Sequence, residues 1–186
     1  MTENTLLFAA ATMNPNDAID IAQEAGGTAL IDERPDTTKL PFAGIALVVT
    51  DDLNALTERA DGGLHLVCKR TIKPGAANVY GLYPLVHHPD LTHQQTDAHW
   101  RDNHGPLALE HHAYMTHYVQ LSVVQTLAGR PLDGIALCGF DSVGDLKDRF
   151  YTVPASEQVI AEDIAKFADL RKSPRGLTAL PTGAAL

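Results

Sequence analysis

The sequence predicts an α+β fold in which two ferredoxin-like βαββαβ repeats form one α+β barrel within a single chain. Three observations carry this. Short apolar runs alternate with stretches of helical periodicity along the 186 residues. Hydrophobic residues make up 45% of the chain, enough for a sizeable core. Finally, two stretches 90 residues apart align without a gap, GIALVVTDDLNALTERA from Gly44 and GIALCGFDSVGDLKDRF from Gly134. They share GIAL, an aspartate at the next break (Asp51, Asp141), Leu56 with Leu146, and Arg59 with Arg149. Each reads as an apolar strand running into an acid-capped amphipathic helix.

The elements follow in order. Thr5 to Ala11 is a strand, and Asn14 to Gly27 a helix with an N-capping Asn or Asp and a closing Gly-Gly. A short strand over Gly27 to Asp32, the first GIAL strand with its helix, and a strand over Gly63 to Ile72 complete the first βαββαβ unit. KPGAAN, from Lys73, separates it from the next. The second unit opens with the strand NVYGLYPLVHH, continues with a longer helical region from Thr92 to about Tyr114, and returns through the alternating strand Thr116 to Gln125. GRPLDG turns the chain into the second GIAL strand. Helices over Ser142 to Phe150 and Ala155 to Phe167 follow, with a last strand in the tail from Gly176. The alternative is two separate modules on a linker, but each would have only roughly 75 to 110 residues, and surface-to-volume scaling favours a shared core. The expected division is residues 1–75, a degenerate repeat, and 76–186, the repeat that carries the site.

Fourteen basic against 23 acidic residues give a formal charge of −9, so there is no basic field for nucleic acid or anionic lipid. The N-terminus lacks a basic n-region, and no run approaches the roughly 20 apolar residues of a membrane span, which makes a cytoplasmic protein the expectation. Cys68 and Cys138 lie in strand-like apolar runs and suit buried, reduced thiols. GxGxxG, GxxxxGK[ST] and GxSxG are absent, so no cofactor cradle is expected.

The segment HWRDNHGPLALEHH, His99 to His112, holds four of the nine histidines and the only tryptophan. Thr92 to Gln95 has the capping-box form that starts a helix. A turn of about 100° per residue then puts Asp97, Trp100, His104 and Leu107 on one stripe, drawn inward by Trp and Leu. Gly105-Pro106 is expected to break the helix beside His104. Burial lowers a histidine pKa and a nearby carboxylate raises it, so His104 can be poised as a general base; the plain alternative is a core histidine with one hydrogen bond. Asp97 or Tyr118 would orient it or the substrate, Trp100 would form an apolar wall, and Tyr83, Leu107 and His99 complete the expected substrate contacts. His111 and His112 are expected at the periphery. Adjacent histidine pairs point apart, and His99 and His104 are five residues apart without HExxH, so the spacing supports no metal site.

HWRDNHGPLALEHHAYMTHYVQ, then DGIALCGFDSVGDLKDRF and EDIAKFADL, resemble the EthD family of the dimeric α+β barrel superfamily. The likeness spans about Val79 to Ala179, with Trp100, His104-Gly105-Pro106-Leu107 and the Asp163 to Phe167 element in family order. Members normally pair two chains into a barrel, which implies that this chain is a tandem pseudo-dimer. Its first half departs from the pattern, with Asn14 to Gly26 where the tryptophan and HGP elements belong, so one pocket is expected, in the second half. The resemblance implies a mostly apolar cavity for a small hydrophobic aromatic or lactone-like metabolite, an acid/base group and no organic cofactor. The expected activity is a cofactor-independent lyase or isomerase, dehydratase-like. The alternatives are a non-catalytic binding or accessory protein, and a metal or haem protein. Pairing of two fused chains into a homodimer is left open.

Overall fold

A computed structural model describes residues 4–34 and 39–186. The first half supplies β1 (Thr5–Thr12), α1 (Pro15–Ala25), β2 (Thr28–Asp32), β3 (Gly44–Val48), α2 (Leu53–Arg59) and β4 (Gly63–Lys73). The second supplies β5 (Val79–Leu85), α3 (His93–His99), a π-helical turn (Trp100–His104), α4 (Gly105–His111), β6 (His117–Ala128), β7 (Gly134–Phe140), α5 (Val143–Asp148), α6 (Pro154–Phe167) and β8 (Leu177–Gly183).

The helix ends follow local chemistry. Asn14 caps α1 by accepting from the Asn16 amide, and Gly26 closes it in the left-handed region at φ 68°. Thr92 and Gln95 make both bonds of the capping box that starts α3.

Among the described residues, eight strands close into one antiparallel barrel in the order β1-β3-β2-β8-β5-β7-β6-β4. The halves meet at two seams, β4 with β6 and β2 with β8. Alternation on β6 shows how the layers form: Val119, Leu121 and Val123 point into the barrel with Leu30, Ile45 and Leu137, while Tyr118, Gln120 and Ser122 face outward under the helices. One core thus fills the barrel, and helices cover it outside. Among the described residues no helix is long and apolar enough to cross a membrane.

The two helical layers differ in depth. Over the first half, Ala18, Ala22 and Ala46 let α1 sit close to the sheet, and a Cβ on Gly44 would come 3.0 Å from that of Ala18. At Gly134, which aligns with Gly44 in the sequence, the missing side chain makes room for the Trp100 ring instead. Large side chains from the helical layer, Trp100 and Phe167 among them, cover the second-half sheet and leave space between them.

The expected break at Gly105-Pro106 does not occur. Gly105 is helical, at φ −55° and ψ −56°, and its N–H bonds the Trp100 carbonyl five residues back. The wide turn and the first-turn position of Pro106 relieve the clash of its ring, and Gly105 has no Cβ to meet the ring Cδ. The chain therefore stays helical past Pro106.

Candidate active site

A cavity of about 480 Å³ lies between the outer face of β5, β6 and β7 and the layer formed by the π-turn, α4 and α6. Trp100, Ala108, Ile160 and Phe167 give it apolar walls. This is the size and character of a small-molecule pocket.

His104 ends the π-turn with 7% of its surface exposed and lines this cavity. Its Nδ1–H donates to Oδ2 of Asp163 at 2.9 Å, and its ring lies 5.1 Å from that of Phe167. Asp163 belongs to the buried stripe of α6, Ser156, Ile160, Asp163 and Phe167, whose helical spacing aims all four inward. The Thr96 hydroxyl, bonded to the Phe167 carbonyl at 2.9 Å, ties α3 to the end of α6. Burial pushes the His104 pKa down, and Asp163 only partly offsets this. Burial raises the Asp163 pKa in turn, but the bonds from His99 and His104 outweigh it and hold the carboxyl below its ordinary value. An ionised Asp163 accepts, so the neutral imidazole keeps its proton on Nδ1 and offers the Nε2 lone pair. Nε2 has no protein partner among the described residues and is not sealed off by protein.

The other expected site residues divide. Tyr118 lines the cavity, its hydroxyl accepting from Gln120 Nε2 at 3.2 Å, and burial pushes its pKa up. Gln120 also donates to the Trp100 carbonyl at 2.9 Å, holding the π-turn against β6. Trp100 and Tyr83 are further wall residues, Tyr83 meeting Phe150 edge-on at 5.9 Å.

Asp97 does not join His104. Its carboxylate takes two bonds from Arg70 of β4, at 2.7 and 2.9 Å, and one from Ser122 at 2.5 Å. Burial raises its pKa, and these bonds outweigh burial and leave it lowered. Leu107 is half-buried and is not part of the cavity wall, where Ala108 stands instead. The π-turn spends one extra residue and advances the inward face from 107 to 108. His99 also stays off the wall: its Nε2 bonds the second Asp163 oxygen at 3.0 Å, and its ring stacks on Phe167 at 5.2 Å.

Residues without an expected role complete the site. His112, expected at the periphery, is 3% exposed and lines the cavity. Its backbone leaves the helix at the end of α4, so adjacent His111 and His112 do diverge, but His112 is the one turned inward while His111 bonds Ser156 at 2.9 Å. Cys138 lies in the wall, and burial pushes its thiol up to about 12. Asp163 carried a signal in the sequence, a lone acid on the apolar stripe of the last predicted helix. Among the described residues no three His, Cys, Asp or Glu side chains converge in a metal-binding group.

Residues 88–171, which include both His104 and Asp163, match the family model of the EthD domain. The match lies within the second half of the chain. Tyr83 and Arg175, also on the cavity wall, lie outside the matched residues. No curated protein matches the chain. Two crystal structures share its fold. The first, an anthrone oxidase-like protein, has a TM-score of 0.61 at 11% identity over 98% of this chain and 92% of that one. The second, a Lactobacillus acidophilus NCFM protein provisionally named a monooxygenase, has a TM-score of 0.51 at 9% identity over 98% of this chain and 99% of that one. At these identities the likeness is one of fold, and it extends beyond the EthD stretch to the whole barrel.

Proposed function

We propose that the chain is a cofactor-independent lyase or isomerase, of dehydratase type, acting on a small hydrophobic aromatic or lactone-like metabolite. The observation that supports it is the His104–Asp163 pair opening onto an apolar cavity. Neutral Nε2 of His104 takes a proton from a carbon next to a carbonyl, and the C–H electron pair moves into the enolate. Asp163 stabilises the imidazolium that forms and fixes its tautomer. His104 then returns the proton, either to a hydroxyl that departs as water with its C–O electron pair, or to another carbon. The un-ionised Tyr118 hydroxyl orients the substrate carbonyl, with Trp100 and Tyr83 against the apolar body. His99 acts on His104 only through their shared carboxylate, and Asp97 through the packing of α3.

The same reading divides the chain into a degenerate ferredoxin-like repeat, 1–75, and an EthD-like repeat with the site, 76–186. Its support is the strand order, in which β4-β1-β3-β2 of one half recurs as β8-β5-β7-β6 in the other. The alanine packing of α1 against the first-half sheet, beside a cavity of only about 160 Å³, also supports a single site.

The test is a screen of hydroxy-ketones and lactones with the native chain and His104→Ala. Turnover should vanish in the variant while circular dichroism and melting stay nearly unchanged. Undiminished turnover would sink the proposal. The apolar cavity equally suits carriage of a hydrophobic ligand, and native mass spectrometry showing retained, unchanged ligand without turnover would favour that second reading.

A further inference from the structure

His112 is the second imidazole of the cavity, and the proposed reaction leaves it unused. Its Nδ1–H donates to the Phe150 carbonyl at 2.6 Å, while its ring meets that of Phe150 edge-on at 4.5 Å and lies 5.3 Å from Tyr151. A carbonyl can only accept, so the Nδ1 proton and the ring orientation are fixed together; a flipped ring would set a C–H against the oxygen. Nε2 is then a lone pair. It has no protein donor among the described residues, and it is not sealed off, which leaves the cavity as its surroundings. A buried acceptor without a donor is costly, and here only something inside the cavity can supply one.

We infer that His112 Nε2 is a ligand-reading acceptor: it takes a hydrogen bond from a neutral hydroxyl of the bound molecule and so sets which atom lies beside His104. The inference rests on the cavity being the ligand site, as proposed above, but not on any proton transfer by His104. Two lone pairs, on His104 and His112, face the same space, so the ligand class is an apolar molecule bearing O–H donors. A carboxylate there would meet two acceptors. Arg175, exposed on the pocket edge, is the one cation of the wall among the described residues and suits an anionic group left outside. Burial pushes the His112 pKa down, with the neighbouring His104 adding to the effect, which keeps the acceptor unprotonated.

The test compares 2-naphthol with its isostere 2-methylnaphthalene. Affinities are measured for the native chain, His112→Asn and His104→Asn. Asparagine at 112 can still donate to the Phe150 carbonyl but has nothing in place of Nε2, and melting curves check that the fold is kept. The preference for 2-naphthol should fall about 5- to 10-fold in His112→Asn, the worth of one hydrogen bond, with 2-methylnaphthalene binding within about twofold of native. The ¹⁵N spectrum should show a pyridine-type Nε2 on His112 that moves when 2-naphthol is added. A preference unchanged in His112→Asn, a preference lost only in His104→Asn, binding of neither probe, or a protonated Nε2 overturns the inference. Absence of turnover with the ligand preference intact would count against the proposed reaction alone.

Discussion

Asp163 accepts the Nδ1–H of His104 at 2.9 Å across 59 residues of sequence, joining the end of the π-turn to the middle of α6. The pair fixes the tautomer and gives the imidazolium a counter-charge. Asp163→Asn should therefore lower kcat by roughly 10²- to 10⁴-fold, with KM nearly unchanged. His99→Gln, which touches only the other carboxylate oxygen, should cost far less. Steady-state kinetics on both variants check this, and equal losses would contradict it.

Asp97 offers the opposite behaviour. It pairs with Arg70, whose side chain is 7% exposed and whose guanidinium lies 5.6 Å from the Trp100 ring centroid. Asp97→Asn strands that buried cation and should destabilise by about 3 kcal/mol. For a chain of this size that is a fall of roughly 6 to 12 °C in Tm. Turnover of the surviving folded fraction should change little. A lost kcat at unchanged Tm would return Asp97 to the chemistry.

Gly134→Ala should disturb the site from beneath. The new methyl would occupy the space of the Trp100 ring, and overpacking of this kind costs about 1–3 kcal/mol. Trp100 is the sole tryptophan, so its emission reports the displacement directly and should shift to the red. An unaltered spectrum and Tm would mean that the ring is not seated on this glycine.

Acid should weaken the fold before most carboxylates titrate. His65, His104, His112 and His117 all have pKa values pushed below 6.5, burial being the main cause in each. Asp163 works against the shift at His104 and the Phe150 carbonyl at His112, whereas Lys69 adds to it at His117. Between 6.5 and the lower folded values the unfolded chain binds more protons than the folded one, so stability falls as pH falls. The contribution is complete above that window. Urea midpoints should hold steady from about pH 8 to 7 and decline from about 6.5 downward. A flat profile to pH 4.5 would refute the burial of neutral imidazoles.

Much of the fold was legible because strands and helices here are amphipathic, and periodicity reports amphipathicity directly. The GIAL strands, α1 with its capping Asn14 and Gly26, and the final strand from Leu177 all lie where the apolar pattern places them. The helix of the site was less legible. A 100° step assumes α-helix throughout, and one π-turn moved the inward position from Leu107 to Ala108. Gly105-Pro106 read as a break because the usual rule takes no account of a widened turn before the proline.

Local pattern therefore settled which elements form and that His104 turns inward, since both depend on neighbours within a turn or two. Tertiary structure decided what His104 meets. Asp97 lies seven residues from His104 and goes to Arg70, whereas Asp163 is 59 residues away and reaches it at 2.9 Å. The choice follows from how α6 packs across the π-turn and from β4 bringing Arg70 beneath α3. It likewise turns His112 into the cavity by ending α4 at that residue. Hydrogen-bond partners across a core are set by which faces meet when the barrel closes, and no spacing along one element encodes that.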